Sequence, residues 1–270
     1  MQRVEGRPQV VAHRGSNLEA PEHTLAAYVA ALDSGAEALE CDVRLTADGH
    51  LVCVHDRRVD RVTNSRGVVS TMELAQLSEL DFASGKRTWT DRNGEAPERD
   101  DGTRRVLTLR RLIETARDYD RPVDFAIETK HPTRYAGLVE RRLVELLESV
   151  DYAGPGSPAR VMSFSPVALA RVKKLAPNLE VVLLIDRQYS WQMAMSVLGP
   201  GWIAGPGIDL LRENPRLARR LTRHGRRMHV WTVNTPEDLD LCLSSGVEAV
   251  ITDDPRSVLA QLGGPSGPHH

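Results

Sequence analysis

Residues 37–56 read EALECDVRLTADGHLVCVHD, a strand, a tight turn and a returning strand in one stretch. Its first part, 37–43, is a short apolar run interrupted only by acidic residues, as expected of a buried strand. Side chains alternate along a strand, so Glu40 and Asp42 share one face while Leu39 and Cys41 share the other. The turn Ala47–Asp48–Gly49 then sends Leu51–Val54 back as a hairpin that ends at His55–Asp56. The run thus carries two carboxylates and delivers a histidine close to them.

Working outward, similar runs recur along the whole chain. Strands are predicted at 8–12, 37–43, 123–128, 160–163, 180–185, 201–204, 228–232 and 248–251. Amphipathic stretches separate them at 24–34, 109–119, 135–149, 166–175, 214–224 and 236–245. Strand–helix alternation implies a parallel sheet, because parallel strands need a crossover. Eight such strands in 270 residues predict an α/β fold of the closed (β/α)8 TIM-barrel type, with a doubly wound open sheet as the alternative. Thr24, Ser165–Pro166 and Thr235–Pro236 are the expected helix starts, and Gly35, Gly225 and Gly246 the expected stops. Residues 57–107 break the rhythm as an insertion between the second strand and the second helix. Within it only Thr71–Leu80 looks helical, and the rest is polar and aperiodic. Residues 1–262 are read as one catalytic domain and 263–270 (GGPSGPHH) as a flexible tail.

Composition excludes several classes. Net charge is −2, too near neutral for general nucleic-acid binding. Aromatic residues make up 4%, too few for extensive stacking platforms. Three cysteines, Cys41, Cys53 and Cys242, have no CxxC spacing, so reduced thiols in the cytoplasm are the expectation. No signal-peptide core and no membrane-spanning run is expected. Nothing in the sequence separates a monomer from a homodimer.

The polar residues that need explaining fall at the C-terminal ends of the predicted strands, which in a barrel is the catalytic face. His13–Arg14 ends the first strand, Glu40 and Asp42 the second, and Glu128 with Lys130 the third. His55 ends the hairpin, and Trp231 lies in the seventh strand. Two carboxylates on one inward face repel unless a cation or proton separates them. Glu128 supplies a third oxygen, and an all-carboxylate set suits one hard cation, Mg²⁺ or Ca²⁺. Simple pairing with arginines is the competing reading. His13 and His55 beside such a cation can act as general base and general acid on one phosphorus. Arg14 can hold a phosphate oxygen through its planar fork, and Lys130 another as a point charge.

The ordered set His13–Arg14–Gly15, Pro21–Glu22–His23–Thr24, Glu40–Cys41–Asp42–Val43, His55–Asp56, Glu128–Thr129–Lys130, Trp231–Thr232–Val233–Asn234 and Thr252–Asp253 resembles the glycerophosphodiester phosphodiesterase family from about residue 8 to about 260. The resemblance implies a TIM barrel that hydrolyses glycerophosphodiesters to sn-glycerol 3-phosphate and an alcohol. It implies Glu40, Asp42 and Glu128 as metal ligands and His13 and His55 as the acid/base pair. Arg14 and Lys130 match the phosphate contacts, and Trp231 an aromatic on the glycerol side. The family usually carries asparagine where His23 stands. His23 is therefore read as bonding a backbone group in its turn, with a third titrating group near the site as the alternative. Asp253 is expected to bond its own turn before Pro255. Phospholipase D-like action on lysophospholipids and a metal-independent glycosidase using Glu40 and Glu128 are the other functional readings.

The remaining features have plainer readings. Arg216, Arg219, Arg220 and Arg223 are expected on the solvated outer face of a helix, and Trp191, Met193 and Met195 in packing after the strand at 180–185.

Overall fold

The computed structural model describes residues 6–84, 104–131, 137–186, 195–223 and 225–263. Eight parallel strands form the barrel wall. They are β1 (Gln9–His13), β2 (Ala38–Leu45), β4 (Asp124–Thr129), β5 (Ala159–Ser163), β6 (Glu180–Ile185), β7 (Ile203–Pro206), β8 (His229–Trp231) and β9 (Ala249–Thr252). Around the wall the order is β7-β6-β5-β4-β2-β1-β9-β8, and parallel bridges Ala204–Met228 and Gly207–Trp231 join the two ends. The architecture is the expected (β/α)8 barrel. The antiparallel strand β3 (Leu51–Cys53) pairs Val43 with Cys53 and Leu45 with Leu51, as the hairpin reading required.

The two faces of each strand have separate tasks. Val11, Ala38, Ala126, Met162, Val182, Ile203, Ala249 and Ile251 pack together inside the barrel. Val10, Leu39, Cys41, Phe125, Ile127, Val161, Val181 and Val250 face outward into a larger core shared with the helices. On β2 the period of two puts Ala38, Glu40 and Asp42 inward, with the carboxylates one layer above the apolar filling.

The helices run α1 (Leu25–Asp33), α2 (Leu74–Ser78), α3 (Leu109–Arg117), α4 (Leu138–Ser149), α5 (Pro166–Leu175), α6 (Ile208–Glu213), α7 (Pro215–Arg223), α8 (Pro236–Ser244) and α9 (Pro255–Gln261). Thr24, Ser165 and Thr235 accept the expected capping bonds from Ala27, Ala168 and Asp238. Gly35, Gly225 and Gly246 adopt positive φ at helix ends, where a Cβ would strain the turn. α6 and α9 escaped the periodicity reading because neither spans two full turns. Arg216, Arg220 and Arg223 on α7 are exposed and Ala218 is buried, as for an outer barrel helix.

Part of the insertion is more ordered than its composition implied. Val59, Val69, Leu77 and Phe82 bury themselves against Val52 and Val54 of the hairpin, forming a small core of their own. The predicted Thr71–Leu80 helix is divided. A 3-10 turn covers Val69–Thr71, and α2 starts after a capping box between Glu73 and Gln76. Residues 85–103 of the insertion, Trp191 and Met193, and all of the tail except Gly263 lie outside the described residues. Among the described residues no helix is long and apolar enough to cross a membrane.

Candidate active site

Strand register assembles the site. His13 pairs with Glu40 across β1 and β2, and Asp42 pairs with Glu128 across β2 and β4. Inward-facing neighbours on parallel strands lie side by side, so the three carboxylates converge. Each of Glu40, Asp42 and Glu128 offers one oxygen within 4.8 Å of the other two, and none is more than 6% exposed. Lys130 Nζ lies 2.9 Å from Asp42 Oδ1 and 2.7 Å from Glu128 Oε2. Arg14 Nε lies 3.0 Å from Asp42 Oδ2, and its backbone N–H donates to Glu40 Oε2 at 3.1 Å.

The electrostatics of the cluster are lopsided. Burial pushes the Glu40 carboxyl well above its ordinary range, and the charge on Asp42 adds to it. Burial also drives Glu128 up, with Asp42 in the same direction and Lys130 against, to about 8. Asp42 resists the same burial because Lys130, His23 and Arg14 hold it well below the carboxylate range. Three buried carboxylates therefore share too little positive charge to ionise together. Hard oxygen donors with surplus negative charge fit a Mg²⁺- or Ca²⁺-type ion. The residues present fit the cation the sequence implied.

Each histidine is backed by a carboxylate. His13 Nδ1 lies 2.6 Å from Asp253 Oδ1, and Asn17 and Asn234 donate to the two oxygens of Asp253, each at 2.6 Å. His55 Nδ1 lies 2.7 Å from Asp56 Oδ1. Burial lowers His55 to about 4, with the charges of Lys130 and Arg14 adding to it against Asp42 and Asp56. Arg44 donates twice to the His55 carbonyl, fixing that backbone. His13, Arg14, Glu40, His55, Glu128, Lys130 and Trp231 all line one cavity of about 320 Å³. Asp42 lies beneath them, 1% exposed. Trp231 donates from Nε1 to the Gly205 carbonyl at 2.7 Å and meets Phe164 edge-on. With Thr232 it also walls a neighbouring cavity of about 460 Å³.

Two expectations are corrected. Asp253 does not bond its own turn. Its carboxylate reaches His13, while the next residue, Asp254, caps α9 by accepting from Ser257. Adjacent acidic residues of a loop point in different directions, and the sequence alone does not say which turns inward. The His23 ring bonds no backbone group. It lies 5% exposed with Nε2 2.8 Å from Asp42 Oδ2 and Nδ1 2.8 Å from the Tyr28 hydroxyl.

Sequence reading also missed Arg61. From the insertion it donates to Asp56 Oδ2 at 2.5 Å and grips Glu22 with both terminal nitrogens at 2.7 Å. Glu22 in turn accepts from Arg14 at 3.2 Å. Burial works to raise Glu22, but Arg61 and Arg14 bring it down to about 2. No local pattern marks Arg61 among its neighbouring arginines. Glu22 was visible only as part of the Pro21–Thr24 motif.

A (β/α)8 barrel with an acidic cluster able to hold a cation, set between two carboxylate-backed histidines at the C-terminal ends of its strands, defines a class of barrel enzyme. Similarity to known proteins narrows it. The model of the glycerophosphoryl diester phosphodiesterase family matches residues 13–257, and the chain belongs to that family. A Mycobacterium tuberculosis protein named "Probable glycerophosphodiester phosphodiesterase 1" is 44% identical over 264 residues, 96% of this chain and 94% of that protein. A Caldanaerobacter subterraneus glycerophosphodiester phosphodiesterase is 32% identical, over 93% of this chain and 96% of its own length. The fold is shared with an Oleispira antarctica phosphodiesterase solved in complex with the product sn-glycerol-3-phosphate. That structure aligns at a TM-score of 0.80 and 24% identity, covering 95% of this chain and 97% of that one.

Proposed function

We propose that this phosphodiesterase hydrolyses glycerophosphodiesters to sn-glycerol 3-phosphate and an alcohol. In this reading Glu40, Asp42 and Glu128 hold one divalent cation, Mg²⁺ or Ca²⁺, and His13 and His55 form the acid/base pair. The observation that carries it is the convergence of three carboxylates, two backed histidines and two cationic side chains on one cavity. A cation bound to the carboxylates supplies charge stabilisation to a non-bridging phosphate oxygen.

The chain's own residues supply the rest. Arg14 and Lys130 neutralise the diester phosphate. His55, unprotonated at neutral pH because of burial and nearby positive charge, accepts the proton of the attacking hydroxyl, from water or from the glycerol 2-hydroxyl, the latter giving a cyclic phosphate that water then opens to sn-glycerol 3-phosphate. His13, oriented through Nδ1 by Asp253, delivers a proton to the leaving oxygen, as carboxylate-backed histidines do elsewhere. Trp231 offers an apolar wall to the glycerol carbons, and the cavity beyond it gives the second half of the diester room.

Incubation with glycerophosphocholine and glycerophosphoethanolamine, with products resolved by mass, tests the reading. Glycerol phosphate with free choline or ethanolamine is expected. Glycerol with phosphocholine, or no hydrolysis of either substrate in the presence of Mg²⁺ and Ca²⁺, contradicts it.

A further inference from the structure

His23 lies beneath the site, 5% exposed, and its surroundings fix what it does. Its backbone sits in the left-handed region, φ 60°, closing the turn that follows β1, where its N–H donates to the Arg14 carbonyl at 3.1 Å. That conformation aims the imidazole under the site rather than into solvent. Tyr28, on α1 and fully buried, donates its hydroxyl proton to the Glu40 carbonyl at 3.0 Å. Nδ1 of the His23 ring lies 2.8 Å from the same phenol oxygen. On the other side, Nε2 faces an Asp42 carboxylate oxygen at 2.8 Å, and a carboxylate only accepts, so the ring donates there. The result is a hydrogen-bonded chain that links Asp42, His23, Tyr28 and the Glu40 peptide. It connects the side chain of one carboxylate to the backbone of another two residues earlier on the same strand.

Consider what else holds Asp42. Its Oδ1 meets Lys130, and its Oδ2 meets His23 and Arg14. Lys130 and Arg14 both line the cavity, where a bound phosphate would compete with Asp42 for them. His23 does not line it. His23 is thus the partner of Asp42 with no competing task, enclosed by packing, and its ring fixes the plane of the carboxylate.

We propose that His23 is a positioning residue: acting with Tyr28, it holds Asp42 in the orientation that lets Glu40, Asp42 and Glu128 bind a divalent cation together. This rests on the reading of those three carboxylates as the cation site. Groups that orient metal ligands typically contribute about 10–100-fold to metal affinity.

Titration calorimetry with Mg²⁺ or Ca²⁺ alone, on the full chain, tests it without turnover. His23→Leu removes both ring contacts and is expected to weaken cation binding about 10–100-fold. His23→Gln keeps an N–H near the Nε2 position and is expected to stay within about threefold of wild type. Tyr28→Phe leaves His23 in place but strips its anchor, and is expected to weaken binding in the same direction by a smaller factor. At saturating cation, KM for glycerophosphocholine is expected to be unchanged in all three. Wild-type affinity in a folded His23→Leu overturns the proposal. If His23→Leu does not fold, unchanged affinity in Tyr28→Phe overturns it instead. Absence of binding to the wild type overturns the cation site itself, which is a different result.

Discussion

At the scale of single residues, the site is built from pairs rather than isolated groups. His13 and His55 were legible from the sequence because a histidine at a strand end is conspicuous once its neighbours are acidic. Their partners were legible only in part. Asp56 adjoins His55, but Asp253 lies 240 positions from His13, and only barrel closure brings them within 2.6 Å. Replacing either histidine with alanine is expected to lower kcat by about 10²–10⁴ while leaving the circular dichroism spectrum unchanged. Near-wild-type turnover in both variants would remove them from the acid/base role. Asp253 also carries a stability signature. Burial works to raise it, but His13, Asn17 and Asn234 bring it down to about 2. A carboxyl depressed in the folded state contributes stability above its unfolded pKa near 3.9 and loses it as pH falls through the folded value. The contribution is about 1–2 kcal/mol after allowance for partial exposure. Asp253→Asn should therefore be less stable than wild type in urea melts at pH 7, and the gap should close toward pH 2. A gap independent of pH would contradict the pairing.

At the scale of elements, period-two alternation made the barrel strands readable, and apolar runs with caps made most helices so. Their ends moved by at most three residues, since frayed ends leave little pattern. The insertion was the least legible element. Its apolar residues, Val59, Val69, Leu77 and Phe82, are spaced irregularly because they close a small core against the hairpin rather than face a helix or sheet. That core presents Arg61 to Glu22 and Asp56, tying the insertion to both Arg14 and His55. The pairs are half-exposed, so their worth to stability is small. Their worth to geometry is larger. Arg61→Ala is expected to cost about 10–100-fold in kcat/KM with little change in Tm. Arg61→Lys should recover little of the loss, because lysine lacks the planar fork that reaches three oxygens at once. Full activity in Arg61→Ala would mean that the insertion does not position the site.

At the scale of the whole molecule, a net charge of −2 hides a strong local division. Three buried carboxylates lie one layer above an apolar barrel filling, with cationic side chains and histidines around them. The fold was legible because eight strands and their crossovers account for most of the length. The site was legible as a set of residue types at strand ends, and the resemblance to a family fixed their grouping. What the sequence withheld was the hydrogen-bond wiring beneath that set, through His23, Asp253 and Arg61, which depends on loop conformations and long-range closure. If the carboxylate cluster binds its cation, the whole barrel gains from it. At 100 times the dissociation constant the gain is about 2.7 kcal/mol, or roughly 5–10 °C in Tm for a chain of this size.

In the proposed function one cation, held by Glu40, Asp42 and Glu128, joins the two histidines in cleaving a glycerophosphodiester. The measurement that bears on it most directly is glycerophosphocholine hydrolysis by the EDTA-treated protein, followed by graded return of Mg²⁺ or Ca²⁺, with the Asp42→Asn variant alongside. Loss of turnover on chelation, saturable recovery with added cation, and no recovery in Asp42→Asn is the expected result. Turnover that survives chelation undiminished would contradict it.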